Sequence, residues 1–414
     1  MRQKKIGAVF RAASVSIAAF CTVIFAIIGY GNFAVPDSFA VSRPNSAAAV
    51  QLLPELALPF RADFSGEAQA AGAGEAQAYE LSIRALRIIP VKSAKVTFVQ
   101  RRYVMPGGQA FGIKLYTKGV LVVGIDAVTT AEGAQNPAAK AGLREGDIIE
   151  KINGLAVLRN AEVSEAVEHS SGKTVEMEIQ RGEKVQTIRF EPVCAVEDGK
   201  YRAGIWVRDS SAGIGTVTFW DAQSGVFAGL GHAVCDVDTG EVLPLSAGEA
   251  VKADITGCYP GSGSRPGELC GVFSKEAIGS LEQNGSAGVY GRFSGTAPGT
   301  LGLLPVALRS EVKSGAAQII ATVGNEDPQY YDVEIVKVYA NEDAHRKNMI
   351  VKVTDARLLE KTGGIVQGMS GSPIIQNGML AGAVTHVFLN NPQQGYGIFA
   401  QTMLEQADAL SLAA

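Results

Sequence analysis

Residues 138–154 read Ala-Ala-Lys-Ala-Gly-Leu-Arg-Glu-Gly-Asp-Ile-Ile-Glu-Lys-Ile-Asn-Gly, and no other stretch restricts the fold of this chain as tightly. Pro137 opens a short helix, where its fixed φ costs nothing, and Gly142 ends it. Asp147 leads into a β-branched strand, and Asn153-Gly154 supplies a tight turn into the next one. A long helix is excluded here. Flanking segments complete a compact unit over 107–193. GGQAFGIKL (107–115) and GVLVVGIDAV (119–128) read as strands, 160–169 is helical in period, and TVEMEIQRG with VQTIRFEPV forms a closing hairpin.

The rest of the chain has a similar texture. At 414 residues, the prior is two or three domains. Glycine is 48 of these, roughly 12% against a usual ~7%, and the 16 prolines show no Gly-X-Y period, so a turn-rich β protein is expected and collagen is excluded. With 47% hydrophobic and 19% charged residues, wholesale disorder is excluded too. Over 194–414, short runs such as GIGTVTFW, EIVKVY, NMIVKV and MLAGAVTHVF, bounded by Gly, Asn, Asp or Ser, point to a barrel or sandwich. Residues 81–106 form a β-rich lead-in, with LSIRALRIIPV and AKVTFVQRRYVM. Residues 37–80 show no hydrophobic period, and GEAQA occurs at 66–70 and 74–78, so they read as a flexible tether.

Residues 1–36 set the compartment. Arg2, Lys4, Lys5 and Arg11 precede an apolar run from Ala12 to Ile28, with no acidic residue before Asp37. A cleaved signal peptide and an uncleaved anchor both fit, and the length favours a single-pass transmembrane anchor. Either way the remainder of the chain is sent across the membrane. The five cysteines include no C-x-x-C pair, so neither a zinc site nor a disulfide scaffold is expected. Cys258 and Cys270 read as small hydrophobes or as one bridge across a Gly/Pro-rich loop. A net charge of −4 leaves no footprint for nucleic acid.

The chemistry concentrates at residues 364–373, Gly-Ile-Val-Gln-Gly-Met-Ser-Gly-Ser-Pro. Such a turn projects the Ser370 hydroxyl and aims the N–H groups of Gly368 and Ser370 at one point. An oxyanion held there gains ~3 kcal/mol per donor. The bland alternative is a Gly/Ser loop between strands. A nucleophilic serine needs a base, and there are four histidines. His169 belongs to the 107–193 unit, and His345 lies in a polar loop. His386, on the apolar run AVTHVF, reads as a core histidine. His232, in Gly-Leu-Gly-His-Ala-Val, is the candidate base. Asp355, ending VKVTD, is the candidate orienting acid, since Asp236 and Asp238 stand too near His232 in sequence. Ser171-Gly172-Lys173-Thr174 lacks the first P-loop glycine, Gly261-Ser262-Gly263 has no glycine at 266, and there is no His-Glu-x-x-His. No cofactor and no metal are expected.

The run at 138–154 resembles the PDZ family. That resemblance implies a groove between a strand and a helix that takes an extended peptide. The groove would use Phe111, Gly112, Ile113 and Leu115, with Phe111-Gly112 standing where many members carry Gly-Leu-Gly-Phe. Together with LGHAVCDVDTG (230–240) and VTDARLLEKTGGIVQGMSGSPIIQNG (353–378), the chain over roughly 80–414 is similar to the stage IV sporulation protein B peptidases of endospore-forming bacteria. The resemblance implies a mainly β protein with a membrane anchor, a PDZ domain and a chymotrypsin-like peptidase domain. It implies a Ser370–His232–Asp355 triad and export from the forespore into the intermembrane space. It further implies self-cleavage in trans with release, then cleavage of the extracytoplasmic part of a membrane inhibitor complex, which activates sigma-factor processing. The competing class is a membrane-anchored peptide-binding scaffold whose peptidase-like region is inert.

Overall fold

The computed structural model describes residues 15–30, 38–42, 60–69, 78–85, 88–261, 266–294, 301–339 and 347–413. The chain divides into two compact units. The first holds a four-stranded sheet of Ser38–Ser42, Ile89–Val99, Ala78–Ala85 and Phe60–Gln69, in that order. Two of those strands, Ser38–Ser42 and Phe60–Gln69, and the start of Ala78–Ala85 fall in the stretch expected to be a flexible tether over 37–80. The missed signal is the period-2 alternation Phe60, Ala62, Phe64 against Arg61 and Asp63. Residues 15–30 are helical, and no helix among the described residues is long and apolar enough to cross a membrane. The expected anchor begins at residue 12, outside the described residues.

The second unit contains two closed six-stranded rings. One is the barrel of Gly315–Ala321, Gln329–Val338, Met349–Val353, Asn391–Phe399, Met379–Phe388 and Pro373–Gln376. The other closes because the long strands Ala110–Ile125 and Ile205–Asp221 pair with each other as well as with their outer neighbours. Leu245–Tyr259, Glu268–Gly285, Gly288–Phe293 and Val226–Gly229 complete that ring. Its core holds Phe111, Ile113, Leu115, Val217, Phe227, Leu230 and Val289, all nearly inaccessible to water.

This pairing runs across the expected boundary between 107–193 and 194–414. The first barrel begins at Ala110, and the PDZ-like unit is inserted between two of its strands. That unit is built on the far ends of the same long strands. Val120 and Leu121 pair with Ile149 and Ile148, which continue into Val175–Arg181 and Lys184–Phe190. Its core includes Val120, Val122, Leu143, Ile149, Val163, Val167, Met177 and Phe190. Asn136 caps the short helix Pro137–Lys140 by accepting from the Ala139 N–H at 2.8 Å, a satisfied N-terminus of the expected kind. Asp147 is buried and paired with Arg181 at 2.6 Å, which fixes the turn that Gly146 enters at φ +86°.

Candidate active site

Ser370 and His232 come from different barrels. Ser370 precedes the strand Pro373–Gln376 of one, and His232 follows Val226–Gly229 of the other. The turn around Ser370 uses Gly368 at φ +96° and Gly371 at φ +98°, a region that favours glycine. At Gly371 a Cβ would sit 2.0 Å from the Thr216 carbonyl oxygen, so no other residue fits. Ser370 is half-buried, and its hydroxyl donates to the Thr385 carbonyl at 2.5 Å. Ser372 is 0% exposed and its hydroxyl has no hydrogen-bond partner, so it is walled off from substrate. Among the described residues the N–H groups of Gly368 and Ser370 make no protein hydrogen bond.

Two threonines that carry no sequence signal hold this turn. Thr216 donates its N–H to the Ser370 carbonyl at 2.9 Å and its hydroxyl to the Gly368 carbonyl at 2.8 Å. The Thr216 carbonyl in turn accepts from Leu230 N–H at 3.3 Å, so one residue ties the serine turn to the histidine loop. Thr218 donates to the Gly371 carbonyl at 2.7 Å. Both threonines are buried on Ile205–Asp221. Within that β-rich strand they read simply as β-branched residues.

His232 leaves its strand through Leu230 and Gly231, at φ +66° and +72°. Leu230 is a non-glycine residue in the left-handed region, a strain that clusters at functional loops. The His232 Nδ1 lies 2.8 Å from the Ala233 carbonyl oxygen, which can only accept, so Nδ1 carries the proton and Nε2 keeps its lone pair. Burial pushes its pKa below the usual 6.5, outweighing that hydrogen bond. The ring lies against His386 in a tilted arrangement, centroids 4.5 Å apart and planes at 36°. His386 is therefore not the expected core histidine. It is exposed on one side and faces His232, and Thr385 beside it takes the Ser370 hydroxyl. Desolvation first, then the His232 and Lys347 charges, lower the His386 pKa to about 4. His169 ends an exposed helix turn, and His345 lies outside the described residues.

Among the described residues no hydrogen bond joins His232 to Asp355 or to Ser370. The Asp355 carboxylate caps the helix Ala356–Thr362, accepting from Arg357 and Leu358 N–H groups, and also accepts from Asp332 N–H and the Arg357 guanidinium. The Arg357 side chain first, with the backbone donors adding to it against desolvation, holds the carboxyl at about 2. That network is local, since the main partner stands two residues away. The helix it caps leads through Gly363 and Gly364 to the Ser370 turn.

The groove residues expected from the PDZ resemblance are also displaced. Phe111, Gly112, Ile113 and Leu115 lie on a strand paired on both edges, with Gly112 opposite Ile214 on one side and Val251 on the other. No edge is left to accept a peptide, and the side chains of Phe111, Ile113 and Leu115 are buried in the barrel. A groove exists elsewhere. A cavity of about 500 Å³ lies between the helix Asn160–His169 (Val163, Ser164, Val167) and the segment Tyr201–Val207. There Ile205–Val207 pairs with Ala110–Ile125 on one edge only.

Comparison with known proteins agrees with both halves of this architecture. The model of the SpoIVB peptidase S55 family matches residues 199–404, and a PDZ domain model matches residues 128–181. A putative zinc metalloprotease of Lactococcus lactis is 29% identical over 133 residues, covering 30% of this chain and 30% of that protein. The chain thus spans under a third of that relative. Among solved structures, the PDZ domain of an SdrC-like protein from Listeria monocytogenes has 23% identity and a TM-score of 0.18, covering 22% of this chain and 87% of its own.

Proposed function

We propose that this chain, whose residues 199–404 match the SpoIVB peptidase S55 family and whose residues 128–181 match a PDZ domain, is a serine endopeptidase run by Ser370 and His232. The observation that carries it is the joint tethering of both loops by Thr216, with two unpaired N–H groups flanking the serine. In this mechanism His232 Nε2 takes the Ser370 proton as the hydroxyl attacks the scissile carbonyl. The Gly368 and Ser370 N–H groups receive the oxyanion. The imidazolium then protonates the leaving amine, and water repeats the sequence on the acyl-enzyme. Ala233 fixes the tautomer that an aspartate fixes in a triad. Asp355 acts as a positioning residue, anchoring the helix that feeds the serine turn. The two six-stranded barrels, one giving the base and the other the nucleophile, support a chymotrypsin-like arrangement.

The family resemblance supports the wider role: export of the catalytic part past an N-terminal apolar helix, self-cleavage in trans, and cleavage of an extracytoplasmic inhibitor complex in the sporulation signal. Peptide capture belongs to the groove at Tyr201–Val207. The inert-scaffold reading draws on one observation, the absence of a hydrogen bond between Asp355 and His232 among the described residues. Hydrolysis of a quenched fluorescent peptide library by the full chain separates the two. Activity lost in Ser370→Ala and in His232→Ala supports the peptidase, and equal turnover in Ser370→Ala defeats it.

A further inference from the structure

The strand Ile205–Asp221 touches every functional part of the second unit. Its first residues form the free edge of the peptide groove, and Thr216 and Thr218 near its end hold the Ser370 turn. Between them stands Arg208. Its guanidinium donates to Asp236 and, at 2.8 Å, to Asp238. Asp236 has a side chain 0% exposed, and it organises the loop that follows His232. One carboxylate oxygen accepts from Asp238 N–H, Thr239 N–H and the Thr239 hydroxyl, while the Asp236 backbone pairs with Gly240 and Glu241. Asn284 pins Val234 on the other side of the same loop.

A buried carboxylate deprived of its counter-ion is strongly unfavourable, and Arg208 is the only cation in contact with Asp236 among the described residues. The ladder on either side of Arg208 is irregular, with register shifts at Trp206/Val207 and at Arg208/Ser210. Bulged strands of this kind re-aim a side chain. A peptide that adds a strand to the free edge of Ile205–Val207 fixes the register next to Arg208.

Resting on the serine-peptidase reading above, we infer that Arg208 is a positioning residue through which a peptide in the groove controls the histidine loop and so the rate at Ser370. The seated arrangement, with Arg208 on Asp236 and Asp238, is the competent one, and a peptide strand in the groove biases the loop toward it. When the ion pairs open, the bulge relaxes and the loop that follows His232 is released. The groove selects the effector by chemistry. Val163, Val167, Ile205 and Val207 offer apolar contact. Lys200 and Arg202 are matched by Glu168 and Asp198, which leaves Asp126 and Glu197 as its unbalanced charges. The effector is an extended apolar peptide bearing lysine or arginine.

The test uses the full chain and a synthetic ten-residue peptide of alternating Val and Lys as probe, with binding followed by its fluorescence anisotropy. A short chromogenic substrate reports kcat and KM. Saturating probe is expected to raise wild-type kcat by on the order of 5–10-fold at constant KM, a usual size for coupled sites. Arg208→Gln is expected to keep probe binding, lower basal kcat and abolish the activation, and Arg208→Lys to restore part of it. Because Arg208→Gln strands a buried charge, the pair Arg208→Gln/Asp236→Asn is run beside it, and it too is expected to bind the probe without activation. Ser164→Trp, which fills the groove, is expected to abolish probe binding. Full activation in either Arg208→Gln chain overturns the proposal, as does a wild-type chain that fails to bind the probe or binds it with no change in kcat. Fluorophosphonate labelling of Ser370 in probe-free wild type reads the peptidase assignment separately.

Discussion

Replacing Asp355 separates a charge-relay role from an anchoring one. The carboxyl sits at about 2 when folded, against 3.8 for the free group. At ~1.4 kcal/mol per unit, that difference corresponds to ~2 kcal/mol of stability. The Arg357 side chain is 63% exposed, so solvent screens its share and ~2 kcal/mol is a ceiling. Since the folded pKa is depressed, this stability is complete above pH 3.8 and is lost as pH falls from there toward 2. Asn caps a helix about as well as Asp, so Asp355→Asn is expected to cost ~1 kcal/mol and Asp355→Ala ~2 kcal/mol. In thermal unfolding that is a Tm decrease of about 2–4 °C per kcal/mol. The kcat of Asp355→Asn is expected to stay within a few-fold of wild type. A triad aspartate changed to Asn costs ~10⁴ in kcat. A loss of that size with unchanged Tm would refute the anchoring role and restore Asp355 as the orienting acid.

Other perturbations follow from the same geometry. Thr216→Val keeps the side-chain shape but leaves the Gly368 carbonyl without its hydroxyl donor, for ~1–2 kcal/mol of stability. Its kcat is expected to fall about tenfold at constant KM, measured by peptide hydrolysis. Ser372→Ala removes a buried unpartnered hydroxyl and is expected to be neutral or slightly stabilising with full activity. Burial lowers both histidines of the His232–His386 pair, so kcat/KM is expected to rise through an ionisation below pH 6.5 and be flat at neutral pH. A midpoint at 7 or above contradicts that placement. Ile113→Asp puts a charge in the barrel core and is expected to unfold the second unit, as seen by circular dichroism.

The serine turn and the PDZ-like punctuation were legible because each depends on local backbone demands. Gly368 and Gly371 have positive φ, and Pro137, Gly142 and Asn153-Gly154 end or start elements at the expected positions. The glycine turn that drew attention to His232 is also present, with Gly231 at φ +72°. What stayed hidden is non-local. Ala110–Ile125 reads as one strand, and nothing in its residues says that its first half belongs to a barrel and its second to the inserted unit. The residues expected to line the PDZ groove accordingly fall on a strand paired on both edges. His386 was misread because an apolar strand says nothing of what faces its last residues. Asp355 fitted a triad by order along the chain, yet its partners are the next helix turn and Asp332. Thr216 and Thr218 act through hydroxyls whose acceptors lie more than 150 positions away.

The central claim is that Ser370 is a nucleophile activated by His232. Incubation of the full chain with a fluorophosphonate, followed by peptide mass mapping at neutral pH, tests it most directly. The account predicts one adduct, on Ser370, lost in His232→Ala and retained in Asp355→Asn. Absence of any adduct, an adduct on Ser372, or undiminished labelling in His232→Ala would contradict it.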